Sequence, residues 1–139
     1  MSKRIRASVV CIHEGKLLVV KLKDPLTAAE NWFVPGGKVE NDETPVQAAI
    51  RETFEETGYR VDVDANSESV HNYPYVWNGV RYEVTTYLYR AVLVDPGLAP
   101  ARVNDASYNL GCCWLDRHYW QQELAFNSDI FTALKPLLQ

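Results

Sequence analysis

Residues 37–59 read GKVENDETPVQAAIRETFEETGY, and this stretch is the most informative part of the chain. Arg51, Glu52, Glu55 and Glu56 fall within six consecutive positions of it. On a helix, positions three and four apart are neighbours, so Glu52 lies beside the other two carboxylates, and each like-charge pair costs about 0.2–0.5 kcal/mol. A bound divalent cation reverses that cost, because Mg²⁺ prefers oxygen ligands and commonly uses carboxylates together with substrate phosphates. The stretch therefore predicts a metal site for a phosphorylated substrate.

The same stretch carries the signals of a helix over residues 45–57. Thr44 suits the N-cap, Pro45 suits the first helical position, and Gln47 stands three residues after the cap. Gly58 suits the left-handed residue that ends many helices. A mostly apolar stripe recurs at helical spacing along Val46, Ala49, Ile50, Thr53 and Thr57. The glutamates lie beside this stripe, so we expect one face of the helix to pack on a sheet while the acidic face lines a cleft.

Outside the helix, β-rich runs bounded by turn residues predict strands. These strands are expected over residues 5–12, 17–22, 32–34, 60–64, 69–76, 80–94 and 112–115. Pro35-Gly36-Gly37 is expected to form a tight loop whose backbone approaches a ligand closely, and Asn78-Gly79 a hairpin turn. Further loops are expected over 24–31 and 98–111, the second reaching over a site. A short helical segment is expected after Asp116, and a terminal helix over 128–134.

Seven positions of residues 37–59, which include the predicted acidic helix, resemble a known signature. They are Gly37, Glu43, Arg51, Glu52, Glu55, Glu56 and Gly58. At this spacing, Gly37–Tyr59 resembles the MutT-like Nudix box of the Nudix hydrolase family, and Pro35-Gly36-Gly37 looks like the usual lead-in. Thr53 and Tyr59 depart from the family pattern, which usually has a larger aliphatic residue at both positions. Both departures concern packing rather than chemistry.

The resemblance implies an α/β fold, namely the Nudix-type α/β/α sandwich with a mixed β-sheet between helices, in a single domain over residues 1–139. It also implies that water attacks a phosphorus of a nucleoside diphosphate linked to another group X. Such substrates include nucleoside triphosphates, ADP-ribose and dinucleoside polyphosphates. The implied cofactor is Mg²⁺, with Mn²⁺ as an alternative. By analogy, Glu52, Glu55 and Glu56 share the roles of metal ligand and base, and the carbonyl of Gly36 completes the metal shell.

Other residues of the motif are expected to support this chemistry. Arg51 either binds phosphate or orients a neighbouring glutamate through a bidentate pair, as its fork geometry permits. Glu43 is expected to tie the loop to the helix. Lys38 either lies near the phosphates or is simply solvated. Gly37 and Gly58 complete the motif.

The resemblance also directs attention to an acid outside the motif. In similar proteins such an acid often assists from late in the sheet or from the loop after it. The position five residues before Trp114, where we look for it, holds Asn109. Glu83, Asp105 and Glu123 remain candidates, and each is otherwise a solvated surface acid. Without a distal acid, a motif glutamate would serve as the base.

Aromatic residues around the predicted hairpin bear on substrate choice. Tyr73, Tyr75 and Trp77 form a candidate nucleobase platform, because base stacking on aromatic faces contributes about 1–3 kcal/mol per base. The alternative is that they fill a core, since aromatic residues are also ordinary strand formers. Pro74 and Tyr75 resemble residues associated with ADP-ribose and dinucleoside polyphosphate hydrolases respectively, so together they select neither substrate.

Composition is that of an ordinary globular protein. Of 139 residues, 47% are hydrophobic and 23% charged, without a run of 18 apolar residues, so no membrane span is expected. The net charge of −4 argues against sequence-independent binding to long nucleic acid. The N-terminus lacks a signal-peptide core, so we expect a cytoplasmic protein. Cys11, Cys112 and Cys113 show no metal-ligand spacing and are expected to be buried thiols.

A second class of function stays open. Nudix-like domains also occur as non-catalytic nucleotide sensors or protein-binding modules. Loss of hydrolysis typically accompanies substitution of the motif glutamates, and here Glu52, Glu55 and Glu56 are all present. We therefore expect an enzyme acting on a small nucleotide. A homodimer is compatible with the resemblance.

Overall fold

A mixed sheet forms the centre of the computed structural model, which describes residues 2–139. Its strands are β1 (Ser2–His13), β2 (Lys16–Lys23), β3 (Glu30–Phe33), β4 (Gly36–Lys38), β5 (Val61–Trp77), β6 (Val80–Leu93) and β7 (Asn109–Asp116). They lie in the order β3-β2-β1-β6-β5, with β4 paired to β1 and β7 paired to β2. Strands β1 and β6 run parallel, and the other pairs are antiparallel.

Helices cover both faces of this sheet, namely α1 (Pro45–Thr57), α2 (Trp120–Leu124) and α3 (Ser128–Leu134). Successive strand residues face opposite sides. Val9 therefore packs with Ala49 in the core beneath α1, whereas Val10 packs with Leu134 in the core beneath α2 and α3. This confirms the predicted α/β/α sandwich with a mixed sheet. Across residues 2–139, no helix has both the length and the apolar character needed to span a membrane.

Helix α1 has the predicted bounds because both of its ends are capped. The Thr44 hydroxyl accepts a hydrogen bond from the Gln47 amide at 3.1 Å, and the Gln47 side chain accepts one from the Thr44 amide at 2.8 Å. At the other end, Gly58 adopts a φ of +78° and donates its amide to the Phe54 carbonyl. Local hydrogen bonds thus fix where the acidic helix begins and ends.

The prediction of a tight glycine loop before α1 was wrong. Gly36 and Gly37 belong to β4 and pair with Ser8 and Ala7 of β1. A side chain on Gly36 would clash with the Ser8 hydroxyl, and one on Gly37 would clash with the Glu52 carboxylate. The glycines therefore permit close packing of β4 between β1 and α1.

Strands β5 and β7 extend beyond the predicted ranges. A single strand, β5, replaces the two expected at 60–64 and 69–76, because its register shifts between Asp64 and Ser69 without a break in the strand. The Ser67 hydroxyl spans this irregularity by accepting the Arg90 amide at 2.7 Å. Strand β7 begins at Asn109, so the preceding loop is shorter than expected.

The predicted hairpin turn is present, whereas the three thiols differ in burial. Asn78 and Gly79 both have positive φ, at 50° and 76°, and join β5 to β6 as expected. All three cysteines are free. Cys11 is buried as predicted, but Cys112 and Cys113 are only half-buried because β7 is incompletely covered.

Candidate functional site

The acidic face of α1 opens onto a cleft of about 290 Å³. Strands β1 and β4, the β5–β6 hairpin and the loop before β7 form its other walls. The cleft gathers three kinds of side chain. Acidic groups come from Glu52, Glu56 and Asp105; basic groups from Arg4, Arg6 and Lys38; aromatic rings from Phe33, Tyr75, Trp77, Tyr82 and Tyr108.

Glu56 is the most deeply buried carboxylate of this cleft, with 8% of its surface exposed. Its Oε1 accepts a hydrogen bond from the Gly36 amide at 2.8 Å. Burial raises the pKa of Glu56 to about 8, against the opposing effect of that hydrogen bond. Among the described residues it forms no ion pair with a basic side chain. A buried carboxylate of this kind is a suitable ligand for a cation, because a cation would offset the cost of desolvating its charge.

Glu52 lies one helical turn before Glu56 and packs against Gly37. Burial raises its pKa, while a hydrogen bond from Arg51 opposes the rise. The Arg51 Nη1 donates to Glu52 Oε1 at 2.9 Å. Glu52 and Glu56 therefore present two carboxylates to the same cleft, next to β4.

Arg51 is the centre of a hydrogen-bond network beside the cleft. It donates two hydrogen bonds to Glu43, at 2.6 and 3.0 Å, and its Nη1 donates to both Glu55 oxygens, at 2.8 and 3.4 Å. A further bond reaches the Lys38 carbonyl at 3.0 Å. Glu43 also accepts the Glu40 amide at 2.9 Å. Arg51 thus links two glutamates of α1 to the loop that precedes the helix, and these contacts hold its own pKa above the usual value.

Glu55 differs from the other two predicted ligands in its orientation. It is more exposed and does not line the cleft, because it turns towards Arg51. Within residues 2–139, no three acidic, histidine or cysteine side chains converge on one point as a preformed metal cluster. The oxygens of Glu52, Glu56 and the Gly36 carbonyl are nevertheless the hard donors that Mg²⁺ and Mn²⁺ prefer. The residues present therefore fit such an ion.

Asp105 is the distal acid candidate that the structure brings to the cleft. Its Oδ2 accepts a hydrogen bond from the Asn109 side chain at 2.9 Å, and Asn109 also donates to the Glu56 carbonyl at 3.2 Å. The asparagine at the position searched for an acid therefore fixes Asp105 beside the acidic helix. Glu83 on β6 and Glu123 on α2 do not line the cleft.

Two of the three aromatic candidates line the cleft in the structure, and the third does not. Tyr75 and Trp77 line the cleft, and Trp77 packs edge-on against Tyr108 with ring centroids 5.5 Å apart. Tyr73 lies outside the cleft and, together with Tyr75, lines a cavity of about 50 Å³ towards α3, where the Tyr73 hydroxyl lies 2.9 Å from that of Thr86. Tyr75 and Trp77 thus remain available to a ligand in the cleft.

A second hollow of about 470 Å³ lies behind this aromatic wall. It shares Leu22, Phe33, Tyr75 and Trp77 with the cleft, so the two spaces adjoin. Asp24 is buried at its edge, where the carboxylate accepts the backbone amides of three residues, Leu26, Thr27 and Asn78.

Sequence reasoning missed the arginines of β1. Arg4 stacks over the Tyr82 ring with its guanidinium carbon 4.3 Å from the centroid, and Arg6 donates to the Gly36 carbonyl at 3.2 Å. Alternation along β1 places Arg4, Arg6 and Ser8 on one face of the strand. This alternation could be predicted from the sequence. The pairing of Ser8 with Gly36 could not, and it is this pairing that brings the face to the motif.

Known proteins resemble part of this chain in sequence. A MutT-like protein of Streptomyces ambofaciens is 47% identical over 58 residues, which are 42% of this chain and 35% of that protein. The phosphatase NudJ of Escherichia coli is 45% identical over 53 residues, or 37% of this chain and 33% of that protein. The matched segment thus spans about a third of the length of these curated relatives.

The fold comparison extends over almost the whole chain. A NUDIX hydrolase from Nitrosomonas europaea superposes with a TM-score of 0.68 at 20% identity, covering 98% of this chain and 88% of that one. At this identity, the likeness shows the fold alone. The family model for the NUDIX domain matches residues 2–131. The chain therefore belongs to the NUDIX domain family.

Proposed function

We propose that the protein is a metal-dependent hydrolase that cleaves a pyrophosphate bond in a nucleoside diphosphate linked to a further group. Family membership supports this reaction class. The observation that carries the proposal is the buried carboxylate of Glu56 beside Glu52 and β4, in a cleft that also contains three basic side chains. Such a cleft suits a cation and a polyphosphate bound together.

In this proposal Glu52, Glu56 and the Gly36 carbonyl hold Mg²⁺ or Mn²⁺. The bound ion would supply charge for the pyrophosphate oxygens and a water of lowered pKa. We assign the orienting role to Arg51 rather than direct phosphate binding, because its contacts with Glu52 and Glu55 already engage its guanidinium. Lys38 is exposed at the rim of the cleft and would meet the phosphates.

We assign proton removal from the attacking water to Asp105. Asn109 holds this carboxylate by a hydrogen bond, and Asp105 lines the same cleft as the two motif glutamates. Because Asp105 is exposed, its carboxylate can take up a proton and exchange it with solvent. General bases of this kind contribute about 10²–10⁴-fold to a reaction.

The substrate we propose is a small nucleotide whose base packs on Tyr75 and Trp77. The candidates are a nucleoside triphosphate, ADP-ribose and a dinucleoside polyphosphate. The adjoining hollow behind these rings, at about 470 Å³, falls within the usual range for small-molecule sites. A cytoplasmic location and a homodimer stay predictions.

The alternative is a non-catalytic nucleotide-binding domain. One observation favours it, namely that Glu55 faces Arg51 rather than the cleft, so only two of the three motif carboxylates line the site. A family member that binds nucleotide without hydrolysing it would tolerate this arrangement.

Formation of the mononucleotide and phosphorylated products from a nucleotide panel, separated by ion-exchange chromatography with and without Mg²⁺, distinguishes the two functions. The panel holds canonical and oxidised nucleoside triphosphates, ADP-ribose, dinucleoside polyphosphates, NADH and nucleotide sugars. Hydrolysis of one substrate far faster than the rest, and only with metal, is the expected result. Absence of turnover, together with a melting temperature raised by a nucleotide, would overturn the enzyme assignment in favour of the binding domain.

A further inference from the structure

Arg6 already engages one of the oxygens assigned to the metal. Its Nη2 donates to the Gly36 carbonyl at 3.2 Å. The contact follows from the fold, since the register of β1 against β4 pairs Arg6 with Lys38 and Ser8 with Gly36. The guanidinium therefore lies on the motif side of β1, half-buried in the wall of the cleft.

The charge of Arg6 also acts on the two carboxylates of the cleft. Burial raises the pKa of Glu52 and of Glu56, and the positive charge of Arg6 opposes that rise in both. Arg6 forms no ion pair with either glutamate in the described residues, so its hydrogen-bond partner in this wall is the Gly36 carbonyl. A guanidinium has donors but no acceptor, and hence cannot share this oxygen with a cation without electrostatic repulsion.

We propose, on the basis of the proposed function, that Arg6 competes with the metal ion for the Gly36 carbonyl. When the ion binds, Arg6 releases this oxygen and turns to a substrate phosphate. A guanidinium fork matches phosphate oxygens well, so the released side chain has a natural partner in an anionic substrate. Metal and substrate then strengthen each other's binding, because each favours the same position of Arg6.

Arg4 provides a matched control for this role. It is also an arginine of β1 that lines the cleft, but it stacks on Tyr82 and does not contact the Gly36 carbonyl. Arg4→Gln removes a positive charge from the cleft but leaves the contact at the Gly36 carbonyl in place. A difference between the two arginines would therefore report the contact at Gly36 rather than the net charge of the cleft.

The experiment is a Mn²⁺ titration of the full chain at 0.15 M salt, followed by the electron paramagnetic resonance of free Mn²⁺. We expect Arg6→Gln to lower the Kd for Mn²⁺ by about tenfold, as removal of a nearby cation should. Arg4→Gln should change it by less than about twofold, because it leaves the contact at Gly36 in place. Arg6→Lys retains the charge and should stay closer to wild type than Arg6→Gln. Melting temperatures confirm that the variants are folded.

Steady-state kinetics supplies a second readout, because KM for the nucleotide should change in the opposite direction to the Kd for Mn²⁺. Arg6→Gln should raise KM for the nucleotide although it tightens Mn²⁺, whereas a merely structural defect would weaken both. An unchanged or raised Kd for Mn²⁺ in Arg6→Gln overturns the inference, provided that wild type binds the ion and Glu56→Gln does not. If neither wild type nor Arg6→Gln binds Mn²⁺, the metal site of the proposed function fails as well.

Discussion

The acidic and aromatic sides of the cleft are held by different kinds of contact. On the acidic side, Arg51 donates to three carboxylates and one carbonyl, all within 13 residues of it in the chain. On the aromatic side, single hydrogen bonds join segments 53 and 54 residues apart, from Asn109 to the Glu56 carbonyl and from the Asn78 amide to Asp24. The acidic side is thus fixed by several local side-chain bonds, whereas the aromatic side, built on the paired strands β5 and β6, is joined to distant segments by single hydrogen bonds. We expect chemistry to fail when a carboxylate is changed, and binding to fail when a link is changed.

The largest expected effect tests the acidic side at Glu56. The substitution Glu56→Gln keeps an oxygen for the Gly36 amide but removes the charge proposed to hold the metal. We expect the fold to persist and kcat to fall at least ~10²-fold, the lower end for a positioned acid–base group. Steady-state kinetics measures kcat, and a melting curve shows whether the fold persists. Glu123→Gln on α2 is the control, and wild-type kcat in Glu56→Gln would remove the metal assignment.

A smaller effect is expected at Asp105, which lies in the loop before β7 and lines the same cleft as Glu52 and Glu56. Because solvent can partly replace an exposed base, Asp105→Asn should lower kcat by only about tenfold, below the usual range for this kind of group. KM should change little. Glu83→Gln removes an acid that lies outside the cleft and should leave kcat unchanged. Equal kcat for both variants would return the role of base to a motif glutamate.

The acidic helix could be predicted residue by residue because its determinants are local. Thr44, Gln47 and Gly58 act on partners three or four positions away, so sequence spacing alone places them. The contact between Arg6 and Gly36 could not be predicted, because it requires β4 to pair with β1 rather than form a loop.

The two departures from the family pattern have different outcomes. The Tyr59 hydroxyl accepts the indole N–H of Trp114 at 3.0 Å, from a residue 55 positions away, so its polar atom is used by a tertiary contact. Thr53 is fully buried, and its hydroxyl has no hydrogen-bond partner among residues 2–139. Nothing in the structure explains why Thr53 is not aliphatic. The position of Asp105 could not be predicted from the sequence either, because Asn109 holds it in the cleft by a hydrogen bond that exists only in the folded chain.

The aromatic wall itself should govern binding more than turnover. Loss of one stacked base contact costs about 1–3 kcal/mol, so Tyr75→Ala should raise KM for the best substrate about fivefold or more. The fall in kcat should be smaller. Tyr73→Ala is a control on the same strand, because that ring faces α3 rather than the cleft. If Tyr75→Ala and Trp77→Ala both leave the kinetics unchanged, the base binds elsewhere.

The smallest expected effect tests the link that positions this wall. In Asp24→Asn, the remaining oxygen can still accept the Leu26 and Thr27 amides, but an NH₂ group would face the Asn78 amide in place of the second oxygen. One hydrogen bond is worth about 0.5–1.5 kcal/mol, so exchange of the Asn78 amide with deuterium should accelerate by about two- to tenfold. KM should rise with little change in kcat, because Trp77 precedes the loosened turn.

Exchange at the Val9 amide, which donates to the Pro35 carbonyl at 3.0 Å in the buried part of β1, provides the internal control, since Asp24 does not contact it. Acceleration at both amides would indicate general destabilisation rather than release of the hairpin. An unchanged Asn78 rate together with an unchanged KM would mean that the pairing of β5 with β6 holds the wall without this link. The aromatic side would then be fixed by several bonds, as the acidic side is, and the contrast between them would reduce to the number of charges each presents.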